Sequence, residues 1–207
     1  MNLPTKLTIL RLIMIPLFVA VYFIPQIPYN FLISAVIFVL AAFTDFLDGY
    51  IARKYNMVTD LGKFLDPIAD KVLVSTALIV MLVPVGEVLI MPAYASIAVA
   101  IILARELVIS GFRMVAASKG MVIAADKSGK IKTFVTDVAI AVLLVGADFM
   151  PKAYSLINII GLALMAVATV LTIISGIECI VKNRAVLSQQ TFKENFEGKV
   201  QKVEKEN

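Results

Sequence analysis

Eight positions of this chain form a spaced set of carboxylates and small residues: Asp45-x-x-Asp48-Gly49-x-x-Ala52-Arg53, eight residues, then Gly62-x-x-x-Asp66-x-x-x-Asp70. They lie in apolar sequence, where an ionised Asp near the centre of a membrane helix costs roughly 2.5 to 3.5 kcal/mol. Four such carboxylates need a compensating charge, and a bound divalent cation is the simplest. Hard oxygen donors select Mg²⁺, Mn²⁺ or Ca²⁺ over softer metals. The chain has no histidine and a single cysteine, Cys179, so imidazole chemistry and a cysteine-cluster metal site are excluded. Four carboxylates can hold two ions. A pair of ions about 3.5 to 4 Å apart serves displacement at phosphorus by neutralising both the attacking and the leaving oxygen. Arg53, one turn past Gly49, can hold a phosphate oxygen or anchor the helix at the membrane surface. The small residues leave room for a bulky ligand and equally suit close helix packing.

Positions three or four apart share a helical face. Asp45, Asp48, Gly49 and Ala52 therefore form one stripe, and Gly62, Asp66 and Asp70 a second. Two antiparallel helices joined by a short link would bring both stripes to one depth.

The elements that must carry these stripes are membrane helices. With 60% hydrophobic residues among 207 and a mean hydropathy of +0.94, the chain is too apolar for a water-soluble domain. Apolar runs of about 20 residues recur six times, at roughly 7–25, 31–53, 63–84, 93–115, 131–149 and 154–181. They are continuous rather than alternating, which excludes a β-barrel. The expectation is an all-α integral membrane protein, with a catalytic unit of six transmembrane helices over 1–182 and a charged cytoplasmic tail over 183–207. Phe192 and Phe196 in that tail either rest on headgroups or belong to a frayed terminus. Pro16 is expected to kink the first helix at most.

Positive charge gives the orientation. Lys6 and Arg11, then Arg53, Lys54 and Lys63, then Arg113, Lys119, Lys127, Lys130 and Lys132 mark one side, whereas the opposite connections carry little beyond Glu87, Asp148 and Lys152. Both termini and the carboxylates are predicted near the cytoplasmic face. Arg11 interrupts the first apolar run and no small-x-small cleavage pattern follows, so that run is read as a span rather than a signal peptide. A short chain without a targeting extension points to a bacterial inner membrane.

A second set of charges sits in the fourth and fifth runs. Arg105 and Glu106 lie inside the fourth, Arg113 follows eight residues after Arg105, and Gly129-Lys130-Ile131-Lys132-Thr133 opens the fifth. A cationic pocket beside a two-metal site suggests an acceptor that carries its own phosphate. The plainer reading pairs Arg105 with Asp137 and leaves Arg113, Lys130 and Lys132 as positive-inside residues. Because adjacent helical residues point about 100° apart, Arg105 and Glu106 are expected to be poor partners for each other.

The eight-residue motif is similar to the signature of the CDP-alcohol phosphotransferase family, integral membrane enzymes that transfer a substituted phosphate from a CDP-linked donor to an alcohol. Every fixed position is present. Ala104 to Arg113, Gly129 to Thr133 and Leu3 to Thr8 further resemble the phosphatidylglycerophosphate synthase branch, with Thr5 where an Asn is usual. The resemblance implies a six-helix fold that commonly forms homodimers. It implies that Asp45, Asp48, Asp66 and Asp70 bind Mg²⁺ or Mn²⁺, two ions in all, and that Asp70 is also the catalytic base. Thr8, Gly49, Ala52, Arg53 and Gly62 would bind the nucleotide donor, and Arg105, Arg113, Lys130, Lys132 and Thr133 the acceptor phosphate. The implied partners are CDP-diacylglycerol, glycerol 3-phosphate and membrane lipids, with no nucleic acid. Rival acceptors are inositol phosphate and phosphatidylglycerol. A divalent-cation transporter, the reading from another class, predicts carboxylates spread through the membrane depth rather than gathered at one face beside cations. A noncatalytic scaffold predicts decay of the motif, which has not occurred.

Overall fold

Backbone amides in hydrocarbon must bond within their own segment, so long apolar runs fold as helices. A computed structural model describes residues 3–55, 60–119, 121, 123, 127–149 and 156–184, with side chains over 6–44, 68–69, 71–119, 121, 123, 129–149 and 156–184. Among them are six helices: α1 Leu3–Phe23, α2 Asn30–Tyr55, α3 Asp60–Val80, α4 Ala95–Ser118, α5 Lys127–Phe149 and α6 Leu156–Lys182. Each coincides with one expected run. The stretches Lys6–Phe23, Ala95–Ser118 and Leu156–Lys182 are long and apolar enough to cross a membrane, and shorter apolar stretches lie at Asn30–Thr44 and Lys71–Val80. Pro16 sits inside α1 without ending it.

α1 shows how the core is chosen. Thr8, Arg11, Ile15, Phe18 and Tyr22 are buried, while Leu10, Ile13 and Leu17 are exposed. The buried set recurs every three or four residues and forms one stripe toward α2 and α3, against which α1 packs. Phe18 meets Phe38 with ring centroids 6.3 Å apart, and Tyr22 meets Phe31 edge-on at 5.3 Å. Carried down this antiparallel pair, that register places Thr8 and Arg11 beside the stretch of α2 between Ala42 and Asp48.

The other end of α2 fixes a second register. Its Leu32 N–H donates to Asp148 Oδ2 at 2.6 Å, and Asn30 Nδ2 donates to the Tyr22 carbonyl at 2.9 Å. A carboxylate suits the unpaired amides and positive dipole of a helix N-terminus, so Asp148 is a structural acceptor rather than a loop charge.

The third run was expected to stay helical to Pro84, but α3 ends at Val80. Val85 and Val88 exchange backbone bonds of 2.9 and 3.1 Å around Gly86, whose φ is +60°. That left-handed conformation suits glycine. Apolar residues fill the turn, so hydropathy alone runs past the end of the helix.

α5 and α6 approach closely through glycine. A Cβ added at Gly161 would fall 2.6 Å from Leu143 Cδ2, and one at Gly146 would fall 2.8 Å from Asn158 Oδ1. α6 also packs on α4, and α2 on α5, which closes the bundle around the site. Leu107, Met114 and Phe134 remain exposed on its outside.

Candidate active site

The motif falls on continuous helix. α2 carries Asp45 and Asp48, and α3 carries Asp66 and Asp70, so each pair stays one turn apart. Their side chains, and those of Gly49, Ala52, Arg53 and Gly62, lie outside the described residues. Among the described residues no group of three or more His, Cys, Asp or Glu gathers to hold a metal. Thr8 is fully buried on the inner stripe of α1, and so is Arg11 one turn away. Arg11 was read as a flanking positive charge. Its spacing from Thr8 and Ile15 puts it on the core stripe instead, and that spacing is the signal that could have found it.

The second set of charges converges in part. Glu106 is its centre: Arg105 Nη1 lies 3.2 Å from Glu106 Oε1, and Lys132 Nζ pairs with the same oxygen. The expectation that Arg105 and Glu106 are poor partners is therefore incorrect. Adjacent side chains leave the helix about 100° apart, yet the long Arg stem reaches across that angle. Arg105 Nη2 also donates to Ser175 Oγ at 2.9 Å. Gly176 makes this possible: the Arg stem lies so close that a Cβ there would sit 3.1 Å from Arg105 Cγ.

Around Glu106 opens a small cleft whose polar lining is Lys71, Ser75, Glu106, Lys132, Thr133 and Thr136. Lys132 is buried. Thr133 Oγ1 donates to the Gly129 carbonyl at 3.1 Å, and Thr136 Oγ1 to that of Lys132 at 2.8 Å. Lys71 donates to Ser110 Oγ, and Ser110 Oγ donates to the Glu106 carbonyl at 2.5 Å. Among the described residues Arg105 and Lys132 pair with the Glu106 carboxylate and Lys71 stands in the same cleft, an arrangement that offers charged donors to an anion. Arg113 and Lys130 are exposed. Arg113 follows Glu106 and Ser110 on one helical face, a turn nearer the end of α4.

Sequence reasoning assigned no site role to Lys71 or Ser110. Lys71 directly follows the last motif Asp and passes for a surface anchor, and an isolated Ser carries no signal at all. α3 ties the cleft to the motif: Lys71, in the cleft lining, is the next residue after Asp70.

A family model described as CDP-alcohol phosphatidyltransferase matches residues 1–174. The chain is similar to the CDP-diacylglycerol–glycerol-3-phosphate 3-phosphatidyltransferase of Bacillus subtilis (strain 168), at 39% identity over 193 residues, covering 88% of this chain and 95% of that protein. The protein of the same name from Rickettsia bellii (strain RML369-C) is 40% identical over 175 residues, 84% of this chain and 91% of its own length. That of Shigella flexneri serotype 5b (strain 8401) is 38% identical over 191 residues, 91% and 98% of the two chains.

Proposed function

The chain belongs to the CDP-alcohol phosphatidyltransferase family, and from that premise we propose that it transfers the phosphatidyl group of CDP-diacylglycerol to glycerol 3-phosphate, forming phosphatidylglycerophosphate and CMP. The observation that supports the acceptor assignment is the gathering of Arg105 and Lys132 on Glu106, at a cleft lined by Lys132 and by Lys71, the residue after the motif's Asp70. A neutral alcohol would need no such excess of positive charge, whereas a phosphorylated one supplies its counter-charge.

All six helices cross the membrane in this reading, with both termini in the cytoplasm of a bacterial cell, residues 1–182 as the catalytic unit and 183–207 as a tail. Two copies form a homodimer. CDP-diacylglycerol enters sideways from lipid, its acyl chains in the bilayer and its cytidine at the cytoplasmic mouth. Thr8, Gly49, Ala52, Arg53 and Gly62 bind the nucleotide. Glycerol 3-phosphate arrives from water, and Lys132, Arg105 and Thr133 take its phosphate, with Arg113 and Lys130 nearer the entrance.

The donor set fits a hard divalent metal. Asp45, Asp48, Asp66 and Asp70 provide only carboxylate oxygens, and the helical backbone keeps each pair one turn apart. These four residues would hold Mg²⁺ or Mn²⁺, which when bound offsets negative charge on the diphosphate. Asp70 takes the proton of the acceptor's primary hydroxyl. That oxygen bonds to the phosphorus carrying diacylglycerol as the bond from this phosphorus to the bridging oxygen breaks, and CMP departs with the electron pair. Arg53 grips the departing phosphate. Most of the rate enhancement comes from positioning and charge complementarity.

The test is CMP release by purified protein given CDP-diacylglycerol, Mg²⁺ and one acceptor at a time. Glycerol 3-phosphate is expected to support release well above inositol phosphate, phosphatidylglycerol and glycerol. Faster release with any of those three would overturn the assignment.

A further inference from the structure

Lys71 is the cation in the cleft that the acceptor assignment leaves unused. Arg105 and Lys132 bond directly to the carboxylate of Glu106, whereas the ammonium of Lys71, in the same cleft, donates to the neutral hydroxyl of Ser110. An ammonium has three N–H donors. One bond to a neutral hydroxyl leaves donors of Lys71 available to a ligand in the cleft. An anion in the cleft would accept from them.

Ser110 also fixes where that ammonium stands. Its proton is committed to the Glu106 carbonyl at 2.5 Å, so only its lone pairs face Lys71 and the contact has one direction. The position along α3 matters equally. Asp70 and Lys71 are successive residues, about 100° apart around the helix, so the helix turns Lys71 toward α4 and the cleft while its neighbour belongs to the motif. One rigid element thereby spans both halves of the site.

We propose that Lys71 is a further binding residue for the acceptor, holding its phosphate together with Lys132 and setting the distance from that phosphate to Asp70. This rests on the reading of the cleft as the acceptor's phosphate site and extends it to a residue outside the motif. A phosphate seated between Lys71 on α3 and Lys132 on α5 touches the element that also carries Asp70. The acceptor hydroxyl then reaches the donor phosphorus only from an alcohol whose phosphate lies a short, fixed distance from it. Lys71 is in this account a determinant of acceptor specificity.

The experiment is steady-state kinetics on the full chain in lipid nanodiscs, varying glycerol 3-phosphate and CDP-diacylglycerol separately for Lys71→Met, Lys71→Arg and Ser110→Ala. Lys71→Met is expected to raise KM for glycerol 3-phosphate about 10- to 100-fold, the worth of one charge-assisted hydrogen bond, with KM for CDP-diacylglycerol unchanged. Lys71→Arg keeps the charge and should recover most of that loss, and Ser110→Ala should fall between wild type and Lys71→Met. Protection against thermal unfolding by glycerol 3-phosphate alone, without donor, gives a second readout that applies to any variant that folds. It should weaken in Lys71→Met and persist in Lys71→Arg. An unchanged KM for glycerol 3-phosphate in Lys71→Met, or a rise confined to CDP-diacylglycerol, overturns the role of Lys71 while leaving the proposed reaction in place. If Lys71→Met does not fold, an unchanged KM in Ser110→Ala has the same force. Wild-type protein that does not use glycerol 3-phosphate at all overturns the reaction instead.

Discussion

At the scale of single residues, the account separates groups that must touch the reacting atoms from groups that steer a substrate. Asp66 and Asp70 belong to the first kind. Replacing either with Ala should reduce Mg²⁺-dependent CMP release by at least about a thousandfold, as expected when an interaction made at the reacting centre is removed. Retained activity in both variants would sink the proposed chemistry. Lys132 and Arg113 belong to the second kind and are not equivalent: Lys132 is buried on Glu106, and Arg113 is exposed. Lys132→Met should therefore raise KM for glycerol 3-phosphate by at least about tenfold, and Arg113→Ala by only about two- to fivefold, with donor KM steady in both. The reverse order would place the phosphate at the mouth rather than in the cleft. The aspartates were legible because charge in apolar sequence needs a reason and their spacing matches helical turns. The partner of Arg105 was not, because angular spacing ignores the reach of a long flexible stem. Arg11 was hidden by its position near a helix start, where a positive charge already has an ordinary explanation.

At the scale of elements, the helices hold the site in place through close backbone approach. Gly161 lets α6 lie against Leu143 of α5, and a Cβ there would sit 2.6 Å from that side chain's Cδ2. Gly161→Leu should destabilise the detergent-solubilised protein by about 1 to 3 kcal/mol, the usual range for overpacking a filled interior. A thermal midpoint within error of wild type would show that α5 and α6 separate more easily than the packing implies. The helices themselves were readable because a continuous apolar run of spanning length has few alternatives, and each expected run has its helix. Their ends were less so. The third run continues to Pro84, while α3 ends at Val80, because the apolar residues that follow have the hydropathy of a helix. The capping of α2 by Asp148 joins residues 116 positions apart in sequence, which no local pattern reveals.

At the scale of the whole molecule, the chain carries two chemically opposite sets of charge on neighbouring helices of an apolar bundle. The acidic set lies on α2 and α3, the basic set on α3, α4 and α5, and α3 belongs to both. Away from the motif, α2 is held to α1 by Tyr22 on Phe31 and to α5 by Leu32 on Asp148. Each set was visible separately in the sequence. That Lys71 of α3 shares one cleft with Glu106 of α4 and Lys132 of α5 was not, since it depends on helix neighbours far apart along the chain. Whether this site joins the phosphatidyl group to a phosphorylated glycerol is decided by identifying the lipid formed when purified protein receives CDP-diacylglycerol, Mg²⁺ and glycerol 3-phosphate. Phosphatidylglycerophosphate is expected in equal molar amount to the CMP released. CMP accompanied by phosphatidic acid, or by no new phosphoglycerol lipid, would contradict it.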